Sequence, residues 1–373
     1  MPIYFMDGNE AVARGAIASG CRFFAGYPIT PASPLFNHMF SMLPVSGGVC
    51  VQGEDEIASI GFCLGASMAG LKAMTATSGP GISLYSENIS FAIGSEIPIV
   101  IIDVQRLGPS SGSATRTADG DIQFLRWGNT GGLPVIVLSP VDAGDCFQLT
   151  MHAFNLAEEF RCPVFVASNK DTAQTREYVA LDEIERPKIK DRHPPPPGEP
   201  FSLFRVPPHG QVPYFLPIGD KTLVRQTSST HGENGYITTD PCEIAEIRDR
   251  MNEKIVSRID DFSFYEFHER TGSDTLVIVY GSTARSAKEI FEQNSEAEKG
   301  FSLLILKTLW PVPERVIEEK CKDKERIIVI EMNLGQYVRE IQRIRHDKKI
   351  EFFGQMNGEL ITPEQIKKVI GYA

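Results

Sequence analysis

Two side chains in this sequence combine useful chemistry with useful placement: the hydroxyl of Thr30 and the carboxyl of Glu56. Thr30 lies in a Tyr27-Pro28-Ile29-Thr30-Pro31 turn that follows a short apolar strand, Phe23-Phe24-Ala25-Gly26. Glu56 ends a Glu54-Asp55-Glu56 triplet, set between a second strand, Val49-Cys50-Val51, and a helix of small residues from Ile57 to about Gly70. A stiff turn and a carboxylate thus sit at the ends of strands in consecutive βα units, and open α/β sheets bind ligands outside the carboxyl ends of their strands. No phosphate-binding fingerprint accompanies them. The segment Thr75-Ala-Thr-Ser-Gly-Pro-Gly81 turns on glycine but lacks the Gly-x-x-x-x-Gly-Lys pattern. A hydroxyl and a carboxylate without a phosphate cradle suit a heterocyclic cofactor better than a nucleotide.

Each of these residues has a second role open to it. Pro28 and Pro31 restrict the backbone around Thr30, which either fixes the hydroxyl for a polar substrate group or leaves it as the N-cap of the next helix, a task Ser33 can also perform. The helix dipole favours any carboxylate in the acidic triplet, so only one of the three needs to face a pocket and hold a proton. Small helix residues (Ala58, Gly61, Gly65, Ala66, Ala69, Gly70) admit a cofactor, or equally a partner chain. Gly79 and Gly81 either let the backbone approach a flat ring or only make a tight turn. Arg106 closes Asp103-Val-Gln-Arg106 at the end of the fourth strand and is suited to bidentate carboxylate recognition. The loop after it, Leu107 to Asp121, is rich in Gly, Ser and Thr, carries Arg116, and reads as a flexible cover. Tyr280-Gly-Ser-Thr-Ala-Arg285 has the form of an anion-binding helix terminus, although a plain cap by Ser282 or Thr283 explains it. None of the histidines (His38, His152, His193, His209, His231, His268, His346) has a spacing that suggests a metal site.

The elements that must position these groups follow a βα rhythm. Short apolar runs predict buried parallel strands at Arg22–Ala25, Val49–Val51, Lys72–Ala76, Pro98–Asp103, Val135–Leu138 and Pro163–Ala167. Helical stretches lie between them at Gly8–Ser19, Pro34–Met42, Ile57–Ala69, Leu84–Ile93 and Asp142–Phe160. Residues 1–177 thus read as a doubly wound α/β domain. Residues 178–270 break the rhythm: ten of the 25 prolines fall between Pro187 and Pro217, which predicts an extended segment wrapping a domain or a partner. A charged helix, Glu243 to Asp260, follows. Residues 271–373 resume the rhythm as a smaller α/β domain, with strands at Leu276–Tyr280, Leu303–Lys307 and Arg326–Glu331 and helices at Ser286–Gln293, Pro313–Lys320 and Tyr337–Ile344.

Bulk properties narrow the function. A net charge of −11 over 373 residues argues against nucleic acid and against an anionic membrane surface as partners. No apolar run approaches a membrane span, and the N-terminus lacks the pattern of a secretory signal. Seven scattered cysteines with no Cys-x-x-Cys point to a reducing, cytoplasmic setting and supply no zinc or iron–sulfur ligand set. Cys50 and Cys63 read as packing residues.

Taken in order, these segments resemble the α subunit of the 2-oxoacid:ferredoxin oxidoreductases, nearest to the 2-oxoglutarate type. The resemblance spans nearly the whole chain through Gly8-Asn-Glu-Ala, Gly26-Tyr-Pro-Ile-Thr-Pro31, Gln52-Gly-Glu-Asp-Glu-Ile-Ala58, Ala73 to Gly81, Asp103-Val-Gln-Arg106, Phe154-Asn-Leu-Ala157, Tyr280 to Ser286, Leu309-Trp-Pro311, Glu331-Met-Asn-Leu-Gly-Gln336 and Ile361-Thr-Pro363. It implies a thiamine-enzyme pyrimidine-type domain (1–177) and a transketolase C-terminal-like α/β domain (271–373). Thiamine diphosphate would be shared with a β subunit that carries the diphosphate site, its Mg²⁺ and an iron–sulfur cluster; this chain would ligate no metal. Further partners implied are ferredoxin, coenzyme A and, in some assemblies, γ and δ subunits. Glu56 would bond N1′ of the aminopyrimidine, with Tyr27, Pro28, Ile29, Ser78 and Gly79 also lining the cofactor. Thr30 and Arg106 would hold the substrate carboxylate and carbonyl. One departure leaves the substrate open. This chain reads Leu107-Gly-Pro-Ser-Ser-Gly-Ser-Ala-Thr-Arg116, where relatives more often have Gly-Gly-Pro-Ser-Thr-Gly and a proline-containing segment. Arg116 would either pair with a distal carboxylate or be solvated. Two other assignments remain: half of a non-oxidative thiamine-dependent decarboxylase or transferase, or a non-catalytic binding subunit.

Overall fold

The computed structural model describes residues 3–198, 201–207, 211–293 and 300–371; His209 lies outside them. Seven strands form the larger sheet, in the order Thr308–Trp310, Ile136–Leu138, Pro163–Asn169, Ile99–Gln105, Ala73–Thr77, Phe23–Gly26 and Val49–Gln52. All neighbours are parallel except Thr308–Trp310, which pairs antiparallel with Ile136–Leu138. Ile99–Gln105 is buried throughout, and its side chains alternate between two cores. Val100, Ile102 and Val104 enter one, beneath the helices Gly8–Ala18 and Ala143–Phe160, while Ile99 and Ile101 enter the other, beneath Glu56–Met68 and Ser86–Gly94.

The sheet has a point where its direction of growth reverses. From Phe23–Gly26 the chain steps outward to Val49–Gln52, then crosses back to place Ala73–Thr77 on the other side of Phe23–Gly26. A crevice opens at the carboxyl ends of strands where such a reversal occurs. The Tyr27–Pro31 turn and the Thr77–Gly81 turn leave from the two strands that flank it.

The second sheet orders Lys349–Gly354, Arg326–Glu331, Thr275–Tyr280, Ser302–Leu306 and Tyr265–His268; only Tyr265–His268 runs antiparallel. Because Thr308–Trp310 crosses into the larger sheet and Trp310 Nε1 donates to Ile122 O at 3.0 Å, the two α/β units are stitched together. The proline-rich segment wraps the larger unit. Prolines cannot donate a backbone hydrogen bond, and arginines collect carbonyls on both sides: Arg192 Nη1 from Ser67 at 2.7 Å, Arg161 Nη1 from Tyr214 at 3.0 Å.

Several elements differ from expectation. Tyr4–Asp7 pairs with Arg176–Val179 in a two-stranded ribbon. Tyr265–His268 and Lys349–Gly354 are further edge strands, and Ile122–Trp127, Lys170–Gln174 and Pro363–Ile370 further helices. The helix expected over Leu84–Ile93 is two, Pro80–Leu84 and Ser86–Gly94. The charged helix is Pro241–Val256, capped by Asp240. Cys63 is buried and Cys50 half-buried, and burial pushes the Cys50 thiol up to about 11.

Candidate active site

The three acidic residues before the small-residue helix do different things. Asp55 is the N-cap of Glu56–Met68, its Oδ1 accepting from Ala58 N at 2.7 Å, and Glu54 is exposed. Glu56, the first residue inside the helix, is 7 % exposed, and its carboxyl has no hydrogen-bond or ion-pair partner among the described residues. Its place depends on Gly81: a Cβ there would stand 2.8 Å from Glu56 Oε1 and overlap Thr77 Oγ1. The hydroxyls of Thr77 and Ser78 are buried beside it without partners.

Across the crevice, Arg106 organises the other wall. Its Nη1 donates to Thr30 O at 2.6 Å and its Nη2 to Ser111 O at 2.8 Å, while Nε is buried and unpaired. Gly79, at φ +46°, passes so close that a Cβ would lie 3.4 Å from Arg106 Nε. Burial pulls this guanidinium below its ordinary pKa, opposed by Asp121 and Glu56. The arginine grips the Thr30 backbone and leaves the exposed Thr30 hydroxyl free, because the helix Ser33–Met42 starts from Ala32 with no side-chain cap. Neither Thr30 nor Ser33 takes the capping role. Tyr27 and Pro28 are exposed on the same turn, and Ile29 packs on the core below. Thr30, Arg106, Gly79, Ser78 and Glu56 therefore share one crevice.

Arg116 is placed differently. Its stem lies along Gly358 of the smaller unit, where a Cβ would come within 2.8 Å of Arg116 Cβ. Arg116 is exposed, as a solvated loop residue would be, and its guanidinium has no protein partner among the described residues. The loop that carries it is tied down rather than loose: Leu107 N donates to Arg116 O at 2.9 Å, and Thr117 bridges Gly358.

Sequence reasoning missed a set of carboxyls beneath this loop. Asp103 is fully buried with neither side-chain oxygen bonded, and Asp119 and Asp121 each leave one oxygen unpaired. Burial, then Asp121 and Asp119, raise the Asp103 pKa well above the ordinary carboxylate range. Burial pushes Asp119 up to about 7 and Asp121 to about 6. Asp103 stood in a motif already singled out; Asp119-Gly-Asp121 carried no signal beyond its loop composition. Ser282, read as a helix cap, instead accepts from Asn169 Nδ2 at 2.7 Å across the seam between the two units. His231 is buried against Phe204, its Nδ1 bonded to Ser229 O at 2.6 Å, and His268 lies 3.4 Å from Glu266. No group of His, Cys, Asp or Glu among the described residues is placed to hold a metal ion, and no helix among them is long and apolar enough to cross a membrane.

Residues 14–252 match the family model for pyruvate flavodoxin/ferredoxin oxidoreductase, thiamine diphosphate-binding, and residues 273–366 match core domain II of pyruvate:ferredoxin oxidoreductase. This chain belongs to that oxidoreductase family. The 2-oxoglutarate synthase subunit KorA of Methanothermobacter marburgensis is 40% identical over 99% of this oxidoreductase chain and 98% of its own length. The ketoisovalerate oxidoreductase subunit VorB of Methanothermobacter thermautotrophicus is 31% identical over 100% and 99%. A structure of 2-oxoglutarate:ferredoxin oxidoreductase from Magnetococcus marinus, with 2-oxoglutarate, coenzyme A and succinyl-CoA bound, superposes with a TM-score of 0.93 at 32% identity; it covers 99% of this chain, which spans 65% of that one. A split-gene transketolase shares the fold, with a TM-score of 0.56 at 12% identity. The oxidoreductase is thus a transketolase-like α/β protein whose larger unit is of the thiamine diphosphate-binding kind.

Proposed function

We propose that this chain is the α subunit of a thiamine diphosphate-dependent 2-oxoacid:ferredoxin oxidoreductase. The reaction converts a 2-oxoacid, coenzyme A and two oxidised ferredoxins to acyl-CoA, CO₂, two reduced ferredoxins and a proton. The observation that carries this reading is the partnerless carboxyl of Glu56, buried at the switch point of the sheet and facing a wall built by Arg106 and Thr30. The residues present fit the cofactor. Glu56 is a buried acceptor in need of a donor, and the missing side chain at Gly81 leaves its carboxyl clear.

When bound, thiamine diphosphate supplies an electron sink at the 2-oxo carbon. Glu56 holds a proton at N1′ of the aminopyrimidine and so sets the basicity of the ring's amino group. Tyr27, Pro28, Ser78 and Gly79 would line the ring, with Ile29 supporting the turn from the core side. Arg106 fixes the Thr30 turn through the Thr30 carbonyl and, with the Thr30 hydroxyl, holds the substrate carboxylate and carbonyl. A β subunit would supply the diphosphate site, its Mg²⁺ and the iron–sulfur cluster.

The 2-oxoacid proposed first is 2-oxoglutarate. KorA relatives of nearly equal length support it, and Arg116 offers an unpaired cation for a distal carboxylate. The test is to purify the chain with its native partners and assay 2-oxoglutarate, pyruvate and 2-oxoisovalerate with coenzyme A and a viologen dye. Coenzyme A-dependent dye reduction with 2-oxoglutarate as the preferred acid is the expected result. Decarboxylation without dye reduction would overturn the oxidoreductase reaction, and preference for a monocarboxylic acid would overturn the substrate.

A further inference from the structure

The motif Glu331-Met-Asn-Leu-Gly-Gln336 in the smaller unit lies outside the crevice, and the reaction proposed above gives it no task. Its polar groups nevertheless divide between shaping their own turn and holding one target. Glu331 shapes the turn: Oε1 accepts from Val338 N at 2.8 Å, and Oε2 from Tyr337 N at 2.9 Å and Tyr280 Oη at 2.7 Å. Asn333, fully buried, accepts from Gly335 N and Gln336 N at 2.9 Å each through its Oδ1. Its Nδ2 donates to Tyr280 Oη at 2.7 Å and, across the seam, to Asp119 O at 2.9 Å. Gln336 Nε2 donates to Gly120 O, and Gln336 Oε1 accepts from Gln123 N at 2.9 Å. Asp119 N donates to Met332 O at 2.9 Å.

These bonds seize the returning end of the loop that begins at Arg106. The loop is then closed on itself and on the crevice: Asp121 N donates to Gln105 Oε1 at 2.9 Å, and Arg106 Nη2 to Ser111 O at 2.8 Å. Its middle is held by the same unit, through the Thr117 bridge to Gly358 and the Arg116 stem lying on that glycine. No side chain fits at residue 358 without displacing Arg116, and its φ of +85° is a conformation glycine tolerates best.

We infer that the smaller unit sets which 2-oxoacid the enzyme accepts, with Gln336, Asn333 and Gly358 acting as positioning residues for the loop that presents Arg116. This rests on the function proposed above. The chemistry points to the distal end of the substrate: Arg106 and Thr30 serve the group common to all 2-oxoacids, and Arg116 is an exposed cation whose stem the clamp locates. Arg106 keeps its bond to the Thr30 carbonyl at 2.6 Å whatever the clamp does, so the distal end is the more sensitive to it.

The test uses the assembled complex and the ratio of kcat/KM for 2-oxoglutarate to that for 2-oxobutyrate. Gln336→Met keeps volume and removes the bonds to Gly120 and Gln123. Gly358→Ala crowds Arg116 directly. Each is expected to lower the ratio at least fivefold, chiefly by raising KM for 2-oxoglutarate. In the Arg116→Ala background Gln336→Met is expected to change the ratio no further, the signature of two residues acting as a unit. Arg326→Met, which breaks the 2.6 Å pair with Glu351 elsewhere in the same unit, is the control for general destabilisation and should leave the ratio alone. A ratio unmoved by Gln336→Met and Gly358→Ala, or moved equally by Arg326→Met, overturns the inference. If the parent complex turns over no 2-oxoacid, the proposed function itself fails.

Discussion

One strand, Ile99–Gln105, has buried carboxyl chemistry at each end, and the two ends are built in opposite ways. Before the strand, Glu96 is fully buried and saturated. Arg250 Nη2 donates to it at 2.5 Å and Lys254 Nζ at 2.8 Å, while its backbone carbonyl takes Arg161 Nε at 3.1 Å. Burial alone would raise its pKa, but Lys254 and Arg250 hold it well below the ordinary carboxylate range. At the other end, Asp103 has no partner for either oxygen, Asp119 bonds only Asn169, and Asp121 has no side-chain partner among the described residues. A charge that is paired inside a protein serves the fold. Buried polar groups left unpaired cost stability, and the carboxyl ends of strands are where open α/β sheets bind ligands. The contrast sets a charge-paired end against an unpaired one within a single element.

The comparison breaks if either cluster behaves like the other. Glu96→Leu leaves Lys254 buried and Arg250 half-buried without their anion, and a loss of about 3–5 kcal/mol is expected in denaturant unfolding, with turnover per folded complex unchanged. Arg106→Lys keeps the charge but cannot span the Thr30 and Ser111 carbonyls; kcat/KM should fall about 100-fold, with a much smaller change in unfolding free energy.

The two ends also respond to pH with opposite sign. Asp119 keeps its proton to about 7 in the folded chain, whereas the unfolded chain releases it near 4. Its contribution is therefore full below about pH 4 and lost as pH rises towards 7. Glu96 is depressed, so its contribution is present above the ordinary carboxylate pKa and lost as pH falls below it. Asp119→Asn should flatten the decline between about pH 4 and 7, and a stability profile of the variant that parallels the parent would contradict this. The smallest effect belongs to Arg116→Ala: KM for 2-oxoglutarate should rise about 10-fold, worth ~1.4 kcal/mol, with monocarboxylic substrates unaffected in steady-state assays.

What the sequence made legible follows from where the information is local. Apolar runs such as Ile99–Gln105 announce buried strands, and the Tyr27–Pro31 turn and Glu56 are visible because each adjoins such a strand. Tyr265–His268 and Lys349–Gly354 are edge strands with mixed, half-exposed faces, so no apolar run marks them. Thr308–Trp310 belongs to a sheet whose other strands are far away in sequence, and only tertiary pairing reveals it. The Asp119 and Asp121 carboxyls looked like ordinary loop polarity. Their burial comes from docking the smaller unit through Asn333 and Gln336, a long-range event that no local pattern encodes. From the residues alone Glu56 could not be told from Glu54 and Asp55; the family resemblance singled it out, and the cap on Asp55 agrees.

The role of Glu56 is tested most directly at the cofactor itself, by hydrogen–deuterium exchange at thiamine C2 in the assembled complex, quenched and read by NMR for the parent and for Glu56→Gln. The expected result is exchange slowed at least about 100-fold in the variant, with the cofactor still bound and the complex intact. Exchange at the parent rate with full cofactor occupancy would contradict the assignment of proton chemistry to this side chain.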